Sequence, residues 1–221
     1  MQEDQLNNTD SEDLDDLLRQ IELSFDIQFG RTELQHLKTF GELCDIIENK
    51  IQLTHVQNCT SQQAFYKLRS AMEASVAASA IAPYSQMAIL LPIRERKIIW
   101  RSVEKQLGFK LNIIGVSTPV AIIVFFAFLT SFAAFFFSTK VAVIGLLISA
   151  LAAIIATKTG NTLQVATIRD CVEKMTRENY LKSRRNSGTF NREEITKQVQ
   201  KIFLDGLALP ASALNREATF V

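Results

Sequence analysis

The side chains most often used in catalysis and metal binding are sparse in this chain of 221 residues. His36 and His55 are its only histidines, and neither has carboxylates at a spacing that would complete a metal site. The sequence contains no Gly-rich phosphate loop, no HExxH or GxSxG motif and no pair of carboxylates in an apolar setting. We therefore expect a protein that is not an enzyme and that binds no metal.

Three cysteines complete the set of reactive side chains: Cys44, Cys59 and Cys171. They are odd in number and widely spaced, and each lies in a stretch with helical periodicity, so neither a disulfide framework nor a zinc site is indicated. A signal peptide has a basic start followed by an apolar core, and the N-terminus of this chain has neither. Reduced thiols in a cytoplasmic setting are expected.

The N-terminal residues 1–18 carry acidic side chains and no basic one. Ser11 lies within this run and is followed by Glu12 and Asp13. A serine ahead of acidic residues is typical of a helix N-terminus, where the hydroxyl caps free amides and the carboxylates interact favourably with the helix dipole. Residues 13–24 then predict an amphipathic helix, because apolar residues recur at helical spacing: Leu14, Leu17, Leu18 and Ile21.

An uncharged stretch in the middle of the chain is long enough to cross a bilayer twice. Residues 111–139 carry no formal charge, which allows a helical span of about 20 residues with room for tilt. Residues 141–157 are also uncharged, and Lys140 and Lys158 can extend this shorter span by reaching toward the headgroups. Residues 111–157 therefore predict a transmembrane helical hairpin.

The charges that flank this hairpin predict its orientation. Basic residues crowd both outer flanks, at 94–110 and 158–185, whereas only Lys140 lies at the turn. The positive-inside rule then places both termini in the cytoplasm, with the hairpin in the cell inner membrane. Few aromatic residues interleave with these charges, so anionic lipid headgroups and not nucleic acid are their expected partners. Trp100 fits either an interfacial anchor or a packed core position.

The composition of the hairpin indicates an anchor. The alternative is a hairpin buried in a soluble protein, but the rest of the chain is too small to cover two helices that are apolar all round. Neither span contains Asp, Glu, Arg or His, so the ionisable groups that mark transport paths are missing. Small residues such as Ala133 and Gly145 suit close packing of antiparallel helices. Pro119 is expected to kink the first span.

Further amphipathic helices are predicted at the two ends of the chain. Thr39 with Glu42, and Asn191 with Glu194, have the spacing of capping boxes, and apolar residues follow each pair at helical spacing. Residues 31–37 predict a short helix. Because these helices are short, their apolar faces need further partners to close a core.

Both ends also resemble one protein family. The run FDIQF at residues 25–29, followed by TFGELCDII at 39–47, resembles the second to fourth helices of acyl carrier proteins, which typically read EFDIEI and then TVGDLVDYI. The run LNREATFV at 214–221 and the helix before it resemble the family's first helix and the loop that follows it. Residues 10–52 and 191–221 would then supply a carrier fold in permuted order. The two halves could join within one chain or between chains.

The resemblance implies a prosthetic group on Ser11. In acyl carrier proteins a DSL motif heads the second helix, and its serine carries 4′-phosphopantetheine, whose thiol holds an acyl chain as a thioester. The family interval back from Phe25 reaches Ser11, but Glu12 replaces the expected Leu, so a plain helix N-cap remains the alternative. Acidic residues would dock acyl-transfer or lipid-metabolism enzymes, through Asp10, Glu12, Asp13, Asp15 and Asp16.

The middle of the chain has a fainter likeness to the same pattern. Residues 65–69 and 96–107 resemble degenerate first and second carrier helices, and residues 167–172 resemble residues 39–44. The hairpin would then interrupt a second, inactive copy. Periodicity alone indicates only amphipathic helices here.

Together these features predict an all-α fold, with an acyl-carrier-like bundle formed by the two chain ends and a two-span transmembrane hairpin. The expected segments are carrier helices two to four at 1–55, amphipathic cytoplasmic helices at 56–110, the hairpin at 111–157, a helix and linker at 158–190 and carrier helix one at 191–221.

Three functions remain open at this stage. The first is a membrane-anchored carrier with the lipid bilayer and acyl-transfer enzymes as partners, either alone or as a homo-oligomer. The second is a cofactor-free adaptor or scaffold that keeps the carrier shape and binds a partner protein. The third is a small subunit of a transport or secretion complex, which would need other chains to supply polar intramembrane groups.

Overall fold

The structure of this chain, a computed structural model, describes residues 11–30, 32–209 and 214–220, with only the backbone of Ser11. These residues are mostly helical, which agrees with the predicted class. In chain order the helices are α1 (Ser11–Phe25), α2 (Phe40–Lys50), α3 (Thr60–Met72), α4 (Met87–Leu90), α5 (Arg96–Leu107), α6 (Thr118–Ala133), α7 (Thr139–Thr159), α8 (Ile168–Glu178), α9 (Tyr180–Ser183) and α10 (Arg192–Gly206).

Short strands join parts of the chain that are far apart in sequence. They are β1 (Thr54–His55), β2 (Ile114–Gly115), β3 (Thr162–Leu163) and β4 (Thr189–Phe190). β1 pairs with β4 in parallel, and β2 pairs with β3 in antiparallel fashion. Each pair therefore ties two sequence-distant loops together.

The chain forms two compact units. Unit 1 combines both ends of the chain, Met1–Ala74 and Arg169–Val221. Unit 2 is the continuous middle, Ser75–Ile168, and contains α4 to α7. The predicted segment 56–110 thus contributes to both units.

The core of unit 1 joins the two ends of the chain. α10 packs against both α1 and α2, and Phe203 of α10 meets Phe40 of α2 edge to face, with ring centroids 5.5 Å apart. Gly206 lies so close to Leu17 of α1 that a Cβ there would require the Leu17 side chain to shift. The core side chains of the three helices are Leu17, Ile21, Phe25, Phe40, Leu43, Cys44, Ile47, Ile195, Val199, Ile202 and Phe203. The predicted amphipathic faces therefore cover one another within a single chain.

The loop after α10 pairs with the start of α2. Thr39 and Thr219 form an isolated antiparallel bridge, in which Phe40 N donates a hydrogen bond to Ala218 O at 2.8 Å. Thr39 is also the N-cap of α2 and forms the predicted capping box with Glu42. The start of α2 is thus fixed both by its own cap and by the C-terminal loop.

A second isolated bridge lies in unit 2. Thr167 immediately precedes α8, as Thr39 precedes α2, and forms an isolated antiparallel bridge with Gln86 in the loop after α3. α1 and α5 each end before a residue with positive φ, Asp26 at 51° and Gly108 at 82°. The hairpin lies between α5 and α8 in the chain.

The hairpin consists of two long apolar helices. The segments Thr118–Phe136 and Thr139–Thr159 are 19 and 21 residues long and apolar enough to cross a membrane. At about 1.5 Å per residue each would match a hydrocarbon core of about 30 Å. No residue of the first span is buried, and in the second only Ala142 and Ser149 are. The two helices pack closely at Gly145, where a Cβ would lie 2.6 Å from Ser131 Oγ.

The hairpin begins later than the predicted residue 111. Residues 111–117 precede α6: Ile113 is fully buried, and β2 in this segment pairs with β3. An apolar run does not distinguish a segment packed against protein from one that enters lipid. Pro119 lies in the first turn of α6, where a missing amide removes no helical hydrogen bond, so the predicted kink is wrong.

The predicted short helix at 31–37 is also wrong. Residues 32–36 form consecutive turns, and residue 31 lies outside the described residues. Glu33 accepts a hydrogen bond from Gly30 N at 2.8 Å and pairs with Lys50 of α2 at 2.9 Å. So short a segment gains too few hydrogen bonds to offset helix nucleation, and side-chain contacts fix it in another form.

Candidate functional site

Ser11, the predicted attachment residue, is the first residue of α1. Its side chain and all of Asp10 lie outside the described residues. Glu12 and Asp13 occupy the first turn of the helix. A serine at the start of a helix can cap free backbone amides, and the sequence resemblance implies a modified serine at such a helix start. The position of Ser11 is therefore compatible with both interpretations.

The acidic residues that follow Ser11 lie on the outer side of α1. Glu12, Asp13, Asp15 and Asp16 are all exposed, whereas Leu17 and Ile21 are buried against the core. Leu23, which is 65% exposed, lies on the same helical face as Glu12 and Asp16, because residues 12, 16, 19 and 23 recur at helical spacing. α1 therefore exposes both carboxylates and an apolar side chain on one face.

The C-terminal end of α1 is held by a buried hydroxyl. Ser24 Oγ donates to Arg177 O at 2.7 Å and accepts from Tyr180 N at 3.2 Å. Phe25 packs against the ring of Tyr180, with centroids 5.2 Å apart. These contacts join α1 to α8 and α9 and fix the direction in which its acidic face points. The residue type of Ser24 suggests an exposed position, so this buried contact could not be predicted from the sequence.

A buried arginine connects four segments of unit 1. The side chain of Arg184 is fully buried, and its Nη1 lies 3.9 Å from Glu194 Oε2. The guanidinium also donates to Thr189 Oγ1 at 3.2 Å and to Asn58 O at 3.3 Å. Its Nη1 donates as well to Thr60 Oγ1 at the start of α3. These partners compensate the cost of burying the charge of Arg184. The side chain therefore links the start of α3, the end of α9 and the first turn of α10.

The carboxylate of Glu194 belongs to the same cluster. It accepts from Tyr180 OH at 3.0 Å and from Thr60 N at 3.1 Å. Burial raises the pKa of Tyr180. The predicted capping box at Asn191 is therefore half right, because Asn191 caps the amide of Glu193 at 3.2 Å while Glu194 turns inward. A local pattern could not reveal this long-range use of the carboxylate.

No family model, curated protein or solved structure matches this chain.

The remaining side chains that could do chemistry include the three cysteines and His55. Cys44 and Cys171 are buried, and burial raises the pKa of each thiol to about 12. Cys59 is exposed. His55 Nδ1 accepts a hydrogen bond from Arg192 N at 3.2 Å. Within the part of the chain that the structure describes, no three His, Cys, Asp or Glu side chains are grouped to hold a metal ion.

Proposed function

We propose that this chain is a membrane-anchored acyl-carrier-like protein that presents its carrier domain at the cytoplasmic face of the membrane. The observation that carries the proposal is the shared core of α1, α2 and α10. A permuted carrier needs its first helix, at the end of the chain, to pack against its second and fourth helices near the beginning. α10, α1 and α2 have the sequence positions that correspond to those three helices.

The loop 214–220 supports the same correspondence. In this chain it returns from α10 and pairs with the cap of α2 through Thr219 and Thr39. Phe220 also packs near Phe203, with ring centroids 5.9 Å apart. The part that resembles the loop after the family's first helix thus contacts the part that resembles the start of the fourth.

The hairpin would anchor this domain. Its apolar side chains are exposed along two helices of spanning length, and helices satisfy their own backbone hydrogen bonds in lipid. With basic residues on both flanks, both termini would face the cytoplasm of a bacterial-type cell, at the inner membrane. Because unit 1 needs both ends of the chain, it can form only when the hairpin returns the chain to its starting side.

Ser11 is the residue that would hold 4′-phosphopantetheine. It fits the group in one respect, because a helix start provides free amides and the positive end of the helix dipole for a phosphate. When bound, the group supplies a thiol that holds an acyl chain as a thioester. The chain's own part would be to present that arm beside Glu12, Asp16 and Leu23, which would contact a basic and apolar surface of an acyl-transfer enzyme.

Mass spectrometry of the full chain, co-expressed with a phosphopantetheinyl transferase, tests the prosthetic group. We expect a peptide containing Ser11 to gain the mass of the group and Ser11→Ala to abolish the gain. Glu12→Leu restores the family's DSL motif and is expected to increase the modified fraction. If neither the natural chain nor Glu12→Leu is modified, the prosthetic-group proposal is wrong.

A cofactor-free adaptor is the second candidate function. The observation that favours it is Glu12, which stands where the family motif has Leu and which belongs to the first turn of α1. An adaptor would use the same face of α1 without a prosthetic group. Binding of a co-purified partner that is unchanged by Ser11→Ala but reduced by Asp16→Lys and Leu23→Ala would favour this function over the carrier.

A further inference from the structure

A polar cleft lies in unit 2 beside the end of the hairpin. Its volume is about 480 Å³, and it is bounded by α5, by the segment before α6 and by the last turn of α7. Lys97 and Arg101 of α5 and Lys158 of α7 line it, together with the carboxylate of Glu104. Glu104 accepts a hydrogen bond from Leu111 N at 2.8 Å. Three cations thus face one carboxylate that is already hydrogen-bonded.

Hydrogen bonds hold α5 at the point where α7 ends. Lys97 Nζ donates to Lys158 O at 2.7 Å, and Arg96 Nη1 donates to Asn161 O at 2.6 Å. Asn161 Nδ2 in turn donates to Ile93 O at 2.6 Å. Arg96 is only 6% exposed, so its guanidinium binds backbone carbonyl oxygens and is not a surface charge. The cleft is therefore fixed at the end of the second span.

The cations of the cleft are free to meet an external anion. Among the described residues, no carboxylate lies within ion-pair distance of Lys97, Arg101 or Lys158. Arg and Lys are the side chains that bind phosphate groups through charge-assisted hydrogen bonds. Where a span leaves the bilayer, anionic lipid headgroups attract basic side chains near the membrane surface.

Exposed apolar side chains lie next to these cations. Ile98 is 70% exposed and Ile93 is 68% exposed, and Ile98 adjoins Lys97 in α5. Basic residues interleaved with exposed aliphatic residues are typical of surfaces that lie in the membrane interface. Trp100 does not contribute to this surface, because it is 3% exposed and donates from Nε1 to Leu111 O at 3.0 Å. Of its two interpretations, the core position is the right one.

We propose that this cleft binds the phosphate headgroup of an anionic phospholipid from the membrane that the hairpin crosses. The proposal rests on the membrane anchor proposed above. The exposed isoleucines would enter the headgroup region while Lys97, Arg101 and Lys158 contact the phosphate. Lipid binding would then fix α5 against the bilayer.

Native mass spectrometry of the full chain in detergent, with added phosphatidylglycerol or phosphatidylcholine, tests this proposal. The test variant is Arg101→Gln/Lys158→Gln, which keeps the bond from Lys97 to the backbone of residue 158. The matched control is Arg94→Gln/Lys105→Gln, which removes two exposed cations of the same unit outside the cleft. The test variant should lose about tenfold or more in phosphatidylglycerol retention, because it removes two side chains that would form charge-assisted hydrogen bonds with the phosphate, and the control should lose far less.

Three results would overturn the proposal. Equal losses in both variants would indicate diffuse surface charge, and equal retention of the two lipids by the natural chain would remove the headgroup preference. Complete displacement of phosphatidylglycerol by excess inorganic phosphate would identify a soluble anion as the ligand. Extraction of membranes with alkaline carbonate separates this proposal from the anchor. If the natural chain is released, the anchor is wrong, whereas a retained chain without lipid preference contradicts only the cleft.

Discussion

Thr39 and Thr219 lie opposite each other in an antiparallel bridge between the cap of α2 and the loop after α10. In a bridge of this kind the two Cα atoms are about 4.5 Å apart, a distance that a disulfide can join. We expect Thr39→Cys/Thr219→Cys to form a disulfide within one chain, in a background where the exposed Cys59 is Ser. Electrophoresis without reductant should show a monomer of altered mobility.

The single variant Thr39→Cys is the control for that experiment and should remain unlinked. A covalent dimer in the double variant would mean that the two ends of the chain pair between molecules. The outcome therefore decides which of the two assemblies left open by the sequence is present in solution.

Gly41 packs against the C-terminal loop and provides a second test of the contact between this loop and α2. A Cβ at Gly41 would lie 2.7 Å from Arg216 O, a backbone atom of the C-terminal loop. We expect Gly41→Ala to push this loop away and to lower the free energy of unfolding by roughly 1–3 kcal/mol, as overpacking does. Gly30→Ala is the matched control, because its Cβ would meet only Glu33, at an ordinary 3.5 Å. Thermal unfolding followed by circular dichroism should separate the two variants; equal midpoints would contradict the contact.

The sequence predicted those parts of the fold that depend on local pattern. The capping box at Thr39 and the amphipathic face of α1 follow from residue spacing within one segment, and the two helices long and apolar enough to cross a membrane follow from uncharged apolar runs. The exact start of the hairpin could not be predicted, because the buried Ile113 belongs to the same uncharged run as helix α6. Burial against protein and burial in lipid select the same residue types.

Long-range polar contacts also could not be predicted from the sequence. Arg184 and Arg185 are adjacent in a basic run, yet Arg184 is fully buried with Glu194 while Arg185 is exposed. Nothing local distinguishes the two, since the difference arises only when α3, α9 and α10 meet. Arg96 illustrates the same point in unit 2. In the sequence it is one of the basic residues that flank the hairpin, but in the structure it is buried and donates to the backbone carbonyl of Asn161.

This contrast between neighbours predicts different effects of substitution. Arg184→Met leaves the carboxylate of Glu194 without its buried cation, and removal of one partner from a buried pair typically costs roughly 3–5 kcal/mol. Arg185→Met removes an exposed charge and should change stability by less than about 0.5 kcal/mol. Urea unfolding of the full chain in detergent is the measurement. The double variant Arg184→Met/Glu194→Gln should recover part of the loss, and a loss in Arg184→Met no larger than in Arg185→Met would show that the pair is not structural.

The three cysteines should differ sharply in reactivity. Only the thiolate is nucleophilic, and burial raises the pKa of Cys44 from 9.0 to about 12, as it does for Cys171. Both buried thiols therefore stay protonated at pH 8, whereas Cys59 is open to solvent. We expect iodoacetamide to label Cys59 alone in the native protein and all three cysteines in urea, as read by peptide mass spectrometry. Labelling of Cys44 as fast as Cys59 would mean that the core shared by α1, α2 and α10 is open.

The same pKa shifts predict a dependence of stability on alkaline pH. Because the folded-state pKa of Cys44 lies above that of the unfolded chain, the unfolded state loses its proton first as the pH rises. This contribution to stability is fully present below about pH 8.5 and is lost progressively as the pH rises toward 12. Cys44→Ala removes the titrating group, so its free energy of unfolding should fall less steeply between pH 8.5 and 10 than that of the natural chain. Parallel pH profiles for the two proteins would show that the thiol of Cys44 ionises as readily in the folded core as in the unfolded chain, which its burial argues against.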